Sequence, residues 1–551
     1  MEAEQKEKSY IVVGEAKPQD YLRDFVALPE DYGSEVYYAR EDVREIRRVV
    51  FEGLDALDAR IDLNKKIARR HVVIKPNLVA VFHNAGFRVK DMPQSTDPRV
   101  FEAVVDYFTR FTDKITIAES TGGQLGTTAY FKTTGLDRVA KRYGAGLVAF
   151  ENMAIDRYIL PKAEIMKEVA VPRLLSEAVR GEAFYVSVPK MKTNAYTGVT
   201  LGFKNAMGTI PTHLRYRNHS YQIEKKLVDL LYLFKPDLVV IDGIVGAEGV
   251  TPGPVDPVDA RMVVVSNHSV EADRLTTDMM GIGSKTNKLI LEAVARGYDD
   301  PDTEIIGTPR YLNFRPADKS MLSERFMKNW PKVKLLVGLT PNNKRHVIAD
   351  IHSVTPEMVR EMESMCGGGC LPAISSVFEM YHYARKPVDI EMAVFFGKPV
   401  IVNGKEYYFD GDGKPYDREA IRALPMRKLA IGECTRSMKG AANVFSGGCC
   451  DIGRTTLAIM AATRKLVPMF SPANKGVLPM FLAGFQTVRI RRKLIDAGEY
   501  VDLPYDQRDH DKVHPIPELS EEEKQKDFIP WPFPPMTERD KRRLKRDVKI
   551  V

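Results

Sequence analysis

The sequence predicts an α/β protein: a parallel-sheet domain with helices on both faces, a second, smaller α/β unit, and an extended charged tail. Three observations carry this. Short β-branched runs alternate with helical stretches from residue 71, the pattern restarts after about residue 320, and from Tyr505 the chain becomes charged and proline-rich. The expected divisions are therefore 1–320, 321–500 and 501–551. With 551 residues, 44% hydrophobic and 28% charged, the chain has an average globular composition and ample material for a core.

The elements follow in order. HVVIKPNLV (71–79) reads as a buried strand stopped by Pro76. VFEAVVDYFTRF (100–111) has helical spacing, and STDPRV (95–100) supplies its N-cap, with Ser95 or Thr96 expected to start the helix and Arg99 to face a ligand or solvent. KITIAES (114–120) is a strand ending in Glu119 and Ser120, and TGLDRVAKRYG (134–144) is a helix closed by Gly144. GLVAFE (146–151), EAFYVSVPK (182–190), PDLVVIDGI (236–244) and RMVVVSN (261–267) are further strands. Beyond residue 320, KVKLLVGLT (332–340), DIEMAVFFGK (389–398) and KLAIGEC (428–434) read as strands. PEMVREMESM (356–365) and RTTLAIMAATRKL (454–466) read as helices.

Ligands of such sheets sit beyond the carboxyl ends of the strands. Those ends carry Lys75 and Asn77, Glu119 and Ser120, Lys190 and Lys192, Asp242, and Asn267. The segment VPKMKTNAYTGVTLGFKNAMG (188–208) reads as a loop that gathers Lys190, Lys192 and Lys204 beside Asn194 and Asn205, with Gly198, Gly202 and Gly208 allowing close backbone approach. Lysines and backbone N–H groups in one place suit a carboxylate or phosphate. The competing reading is a surface loop with solvated lysines. TGGQLG (121–126) could do similar work, although it matches neither the nucleotide phosphate loop nor a full G-x-G-x-x-G. Asp242 and Glu248 are expected on a loop after a strand. With Glu119 they are the candidate catalytic carboxylates, and a divalent metal or pairing with the lysines are the alternatives for Asp242 and Glu248.

The 5 cysteines all lie beyond residue 365, an odd, low number that excludes a secreted disulfide framework. Cys366 and Cys370 form CGGGC, Cys434 follows the strand KLAIGEC, and Cys449 and Cys450 sit in SGGCCDIG. Glycines at these turns let backbone fold around an inorganic cluster. Cys366, Cys370, Cys434 and one of Cys449 and Cys450 could supply four thiolates to a 4Fe–4S iron–sulfur cluster. Zinc, a catalytic dithiol, or unrelated buried thiols compete with this reading.

No secretory leader is visible and no window of 18 apolar residues occurs, so a cytoplasmic location is expected. The net charge of +7 is weak evidence for an anionic partner and argues against nucleic acid as one. Leu466–Val488 is apolar and flanked by Arg464 and Lys465 on one side and RIRRK (489–493) on the other. A buried helix pair is the favoured reading, and a membrane-surface segment the alternative. The tail is expected either to pack through Trp531 and Phe533 or to stay mobile.

The strings IKPNLV, STDPRVFEAVV, ITIAES, VPKMKTNAYTGVTLGFKNAMG and LFKPDLVVIDGIVGAEG, spread over residues 70–290, resemble the family called domain of unknown function 362. Members of that family often carry iron–sulfur cysteines, frequently on an added ferredoxin module, and no C-x2-C-x2-C run occurs here. The family's usual K-T-H reads Lys192-Thr193-Asn194 here, which puts a histidine role at that point in doubt. IGECTRSMKGAANVFSGGCC resembles the cluster-binding strand ends of hydrogenase small subunits. The surroundings of TDPR and ITIAES are similar to the lactate racemase amino-terminal domain. These resemblances imply either an iron–sulfur oxidoreductase with an electron-transfer partner, or an isomerase-like enzyme on a small anion. A membrane-surface or assembly protein is the third reading.

Overall fold

The computed structural model describes residues 8–21, 27–79, 87–88, 93–122, 126–215, 222–251, 253–339, 348–364, 370–447, 452–470, 477–500 and 518–548. The first unit is built on a sheet whose main path runs Glu304–Ile306, Tyr10–Glu15, Met262–Ser266, Leu238–Glu248, Ala183–Val188, His71–Pro76, Ile115–Glu119, Gly146–Ala149. Its central strands are continuous β-branched runs because both of their faces are covered. Alternate side chains of one strand serve the two layers: Val72 and Ile74 join the core under the helices Glu41–Ile61 and Pro98–Phe108, while Val73 joins the core under Ile223–Leu230 and Lys288–Ala295.

Along its main path the sheet departs from the expected parallel order at one strand. Met262–Ser266 runs antiparallel to both of its neighbours. The connection from Glu248 to Met262 contains Gly249, Pro252, Gly253 and Pro254, too short and too turn-rich for a crossover helix, so the chain doubles back. The segment expected as a lysine-rich loop is ordered secondary structure. Lys190–Asn194 and Gly198–Thr200 form a hairpin in which Asn194 opposes Gly198, at φ +78°, and a 3₁₀ helix follows over Phe203–Thr209. The N-cap of the helix Pro98–Phe108 is Asp97, not Ser95 or Thr96. Arg99 faces neither ligand nor solvent, since it is held by Asp97 and Asp42 and is buried.

The second unit has its own sheet, ordered Val400–Val402, Lys405–Phe409, Val333–Val337, Met392–Phe396, Arg427–Ile431, Val444–Ser446. Its last four strands are parallel. Cys370 opens the helix Cys370–His382 and is buried, and half-buried Cys434 lies in the 3₁₀ helix Glu433–Ala441. Cys366, Cys449 and Cys450 lie outside the described residues. The apolar stretch expected as a buried helix pair includes the first half of one helix, Val477–Ala497, with a buried and an exposed face. The buried face packs on the helix Thr127–Thr134, where a Cβ on Gly126 would stand 3.1 Å from the Ala483 carbonyl carbon. The tail returns to the first unit: Ile529–Pro530 pairs with Ile155–Ile159, the Trp531 N–H donates to the Arg157 carbonyl at 2.8 Å, and Phe528 packs edge-on against Tyr158.

Gly126 thus combines φ +76° with contact against another helix, whereas Gly144, at φ +63°, has nothing within 4 Å of its missing Cβ. Gly126→Val should lower the unfolding free energy by about 3 kcal/mol through backbone strain plus overpacking, and Gly144→Ala by only about 1 kcal/mol. Denaturant titration of both variants checks the difference.

Candidate functional site

Two adjacent parallel strands, His71–Pro76 and Ile115–Glu119, deliver Lys75 and Glu119 to the same edge of the sheet. Both side chains are essentially removed from water. Lys75 Nζ donates to Glu119 Oε2 at 2.8 Å, to Asn205 Oδ1 at 2.9 Å and to the Pro76 carbonyl at 3.1 Å. Glu119 also accepts from the Ser120 N–H at 2.7 Å and the Leu78 N–H at 3.3 Å. Burial pushes the Lys75 ammonium down and the Glu119 carboxyl up, each countered by the other's charge. The two proton affinities approach one another, which is the condition for passing a proton between them at small cost.

The 3₁₀ helix Phe203–Thr209 closes over this pair. Asp273 fixes its start by accepting from the N–H groups of Gly202 at 2.6 Å and Phe203 at 3.0 Å. Burial holds the Asp273 carboxyl well above its usual range. Asn205, projected from the same turn, receives Lys75 and the Asn77 amide, the latter at 3.1 Å, and donates to Ser187 Oγ at 3.0 Å. Gly208 crosses so closely that a Cβ there would lie 2.5 Å from both Glu119 Oε1 and Lys75 Nζ.

Lys190 and Lys192 are alternate residues of one strand, and their environments differ. Lys190 Nζ is paired with Asp242 Oδ2 at 2.8 Å. Asp242 also receives the Asp97 N–H at 2.7 Å, so it ties this strand to the cap of the helix Pro98–Phe108. Burial raises the Asp242 carboxyl against the pull of Lys190. Lys192 is equally buried, but its ammonium meets only neutral acceptors: Asn77 Oδ1 at 2.7 Å and the Gln94 carbonyl. Burial, with Lys204 and Lys190 nearby, drives Lys192 well below the ordinary lysine range.

These groups surround a cavity of about 90 Å³ lined by Lys75, Asn77, Glu119, Lys204, Asn205 and Arg215, among others. Arg215 was not indicated by any sequence motif. It reaches the site from the short helix Thr212–Arg215 and donates to the carbonyls of Met207, Ser120 and Thr121 and to Thr212 Oγ1, all neutral acceptors. Of the three candidate carboxylates, Glu119 faces the cavity. Asp242 and Glu248 both belong to the strand Leu238–Glu248 rather than to a loop, and Glu248 turns to Arg315, whose backbone N–H it accepts at 2.7 Å. Asn267 lies across the sheet and accepts from the Tyr10 N–H at 2.8 Å. Ile452, the first residue of the helix Ile452–Thr463 in the second unit, also lines the cavity. Among the described residues, no three His, Cys, Asp or Glu side chains gather as a metal site.

Residues 72–278 match the family model described as domain of unknown function (DUF362). The chain carries a DUF362 domain. Every cavity-lining residue except Ile452 falls inside that segment, and one wall comes from the second unit. A thylakoid-associated protein of Synechocystis sp. is 28% identical over 120 residues, which is 21% of this chain and 37% of the relative. The chain thus spans little more than a third of that relative's length. No solved structure matches it significantly.

Glu119→Gln would leave the Lys75 ammonium buried without its counter-charge. The expected loss is about 3–5 kcal/mol of stability near neutral pH. The penalty should shrink as pH rises, because Lys75 has its pKa lowered by burial and can shed the proton, whereas the unfolded lysine holds it to about pH 10.4. Denaturant titrations at several pH values would show that slope.

Proposed function

We propose that the DUF362 domain binds a small carboxylate or phosphate in this cavity and acts on it by proton transfer through Lys75 and Glu119. The observation that carries the reading is the cationic lining: Lys75, Lys204 and Arg215 face a cavity whose lining carboxylate is Glu119, and Lys192 is buried nearby on the neutral oxygens of Asn77 and Gln94. An anion is the ligand charge that such a lining favours. Burial and its cationic neighbours disfavour the Lys192 ammonium, and a bound anion favours it. Asn77, bonded to both Lys192 and Asn205, links that charge to the Lys75–Glu119 pair. Such a set suits an isomerase-like proton exchange on a small carboxylate, the chemistry that the lactate racemase resemblance implies.

Two outcomes test this by calorimetry with lactate, malonate and inorganic phosphate. Lys192→Met should weaken the best of the three by about 10–100-fold, the worth of a charge-assisted bond. In the parent protein, affinity should fall as pH rises, by up to about tenfold per unit for one proton taken up. Unchanged binding in the variant removes the reading.

A second reading is favoured by the position of Ile452. This cavity-lining residue stands two positions after Cys450 in sequence, so the cysteine-bearing half of the chain reaches the anion site. We infer an iron–sulfur cluster there as an electron relay to the bound anion. Cys370 and Cys434, both free thiols, would be two of its donors, with the others drawn from Cys366, Cys449 and Cys450. The cluster would supply one-electron transfer, and the lysines would hold the anion beside it. Protein purified without oxygen should contain about four iron and four sulfide per chain, and Cys434→Ser should lower the iron while sparing anion binding. Iron-free anaerobic protein excludes this second reading and leaves the first standing.

A further inference from the structure

The helix Val477–Ala497 lies outside the anion site, and its two faces differ sharply. One face is buried through Met480, Ala483, Thr487, Arg491 and Ile495, and Arg491 reaches the Glu151 carbonyl at 3.4 Å. The opposite face presents Leu478 at 67% exposure, Phe481 at 42%, Leu482 at 59% and Phe485 at 60%. These positions are i, i+3, i+4 and i+7, one continuous stripe over two turns. Scattered exposed apolar residues are ordinary, but four large ones in a stripe mark a contact surface.

The same outer face changes chemistry along the axis. After Phe485 it carries exposed Arg489, Arg492 and Lys493. The helix Glu538–Asp547 packs beside this basic half through Leu544 against Ile495 and through the Lys545–Asp496 ion pair. It adds exposed Arg539, Arg542, Arg543 and Arg546. At 1.5 Å per residue the apolar stripe is about 10 Å long, and the basic collar begins about 6 Å beyond it. Interfacial helices sink about 5–10 Å below the headgroups, so the stripe matches that depth and the collar falls at the level of lipid phosphates. Polarity segregated along the axis, rather than around it, calls for a tilted helix with its N-terminal end down. No described helix is long and apolar enough to cross a membrane.

We propose that this helix docks the protein on an anionic lipid surface, with Leu478, Phe481, Leu482 and Phe485 entering the acyl boundary and the arginines of both helices holding phosphate headgroups. Charge complementarity selects the occupant: an apolar groove in a partner protein would explain the stripe but not the two-helix cationic collar. A nucleic acid would explain the collar but not the stripe.

The test uses the full chain and sedimentation with phosphatidylcholine vesicles, with and without phosphatidylglycerol. The parent should pellet with the anionic vesicles, and salt should release it. Phe481→Ser with Phe485→Ser should lower binding about tenfold or more. Arg489→Gln with Arg492→Gln should lower binding to anionic vesicles about 30-fold, at roughly 1 kcal/mol for each charge, and reduce the preference over neutral vesicles by the same factor. All four side chains face outward, so the melting temperature should stay within a few degrees of the parent's. Should the double-Phe variant melt early, Leu478→Ser, at the most exposed position of the stripe, repeats the test. Three results overturn the proposal: parent protein that stays in solution with anionic vesicles, apolar-stripe variants that pellet like the parent, or a parent dimer that the Phe variants dissolve without any lipid binding. The last would make a second copy of this chain the occupant.

Discussion

Removing Lys75 and Glu119 from water is the constraint around which the first unit is arranged. Each ion would cost several kcal/mol to bury alone, and pairing at 2.8 Å offsets this only if the remaining donors and acceptors are satisfied. The surrounding elements meet that demand. Adjacent parallel strand ends bring the charges together, the Ser120 and Leu78 N–H groups complete the carboxylate, and Asn205 and the Pro76 carbonyl complete the ammonium. Asn205 is in place because Asp273 anchors the turn that carries it. Gly208 is needed because no side chain fits between that turn and the pair.

The second organising fact is a contrast within one strand. Lys190 and Lys192 point to the same side and are equally buried, yet only Lys190 has a carboxylate. A purely structural network would neutralise both. The paired lysine serves architecture by linking Asp242 to the helix cap at Asp97, while the other is held ready by amide and carbonyl oxygens alone. A lysine in that state costs stability, and that cost supports the anion-binding proposal.

Much of this was legible in the sequence. Periodicity located the core strands, and the rule that ligands sit at carboxyl ends selected Lys75, Asn77, Glu119 and Lys192 before any geometry was known. Spacing could not rank the carboxylates. Asp242 and Glu248 look alike in VIDGIVGAEG, and only the three-dimensional course of the strand sends one to Lys190 and the other to Arg315. Arg215 was invisible because its role depends on where a four-residue helix folds back. The lysine-rich stretch looked like a loop since its glycines and polar residues lack the β-branched signature. Its strand character comes from pairing with Leu238–Glu248, a tertiary effect. Leu466–Val488 was legible as an apolar stretch with basic flanks, with a membrane-surface segment as one reading, but its division into a buried and an exposed helix face was hidden by prolines and by a composition that suits a core equally well.

The return of the tail to the first unit constrains movement of the second. The chain leaves the first unit after Phe314, which is packed under Gly246, and by Ile529 it is again hydrogen-bonded to Ile155–Ile159. Residues 320–500 are therefore tethered at both ends to one body. A single-tether domain can swivel about its linker. One that is also held between its ends, as here by the Phe87–Ala384 bridge and by Arg385 donating to the Phe87 carbonyl at 3.0 Å, keeps a set orientation on the body it contacts. Ile452 is the second unit's point of entry to the cavity, so the contacts that seat the second unit also set where that wall stands over the lysines.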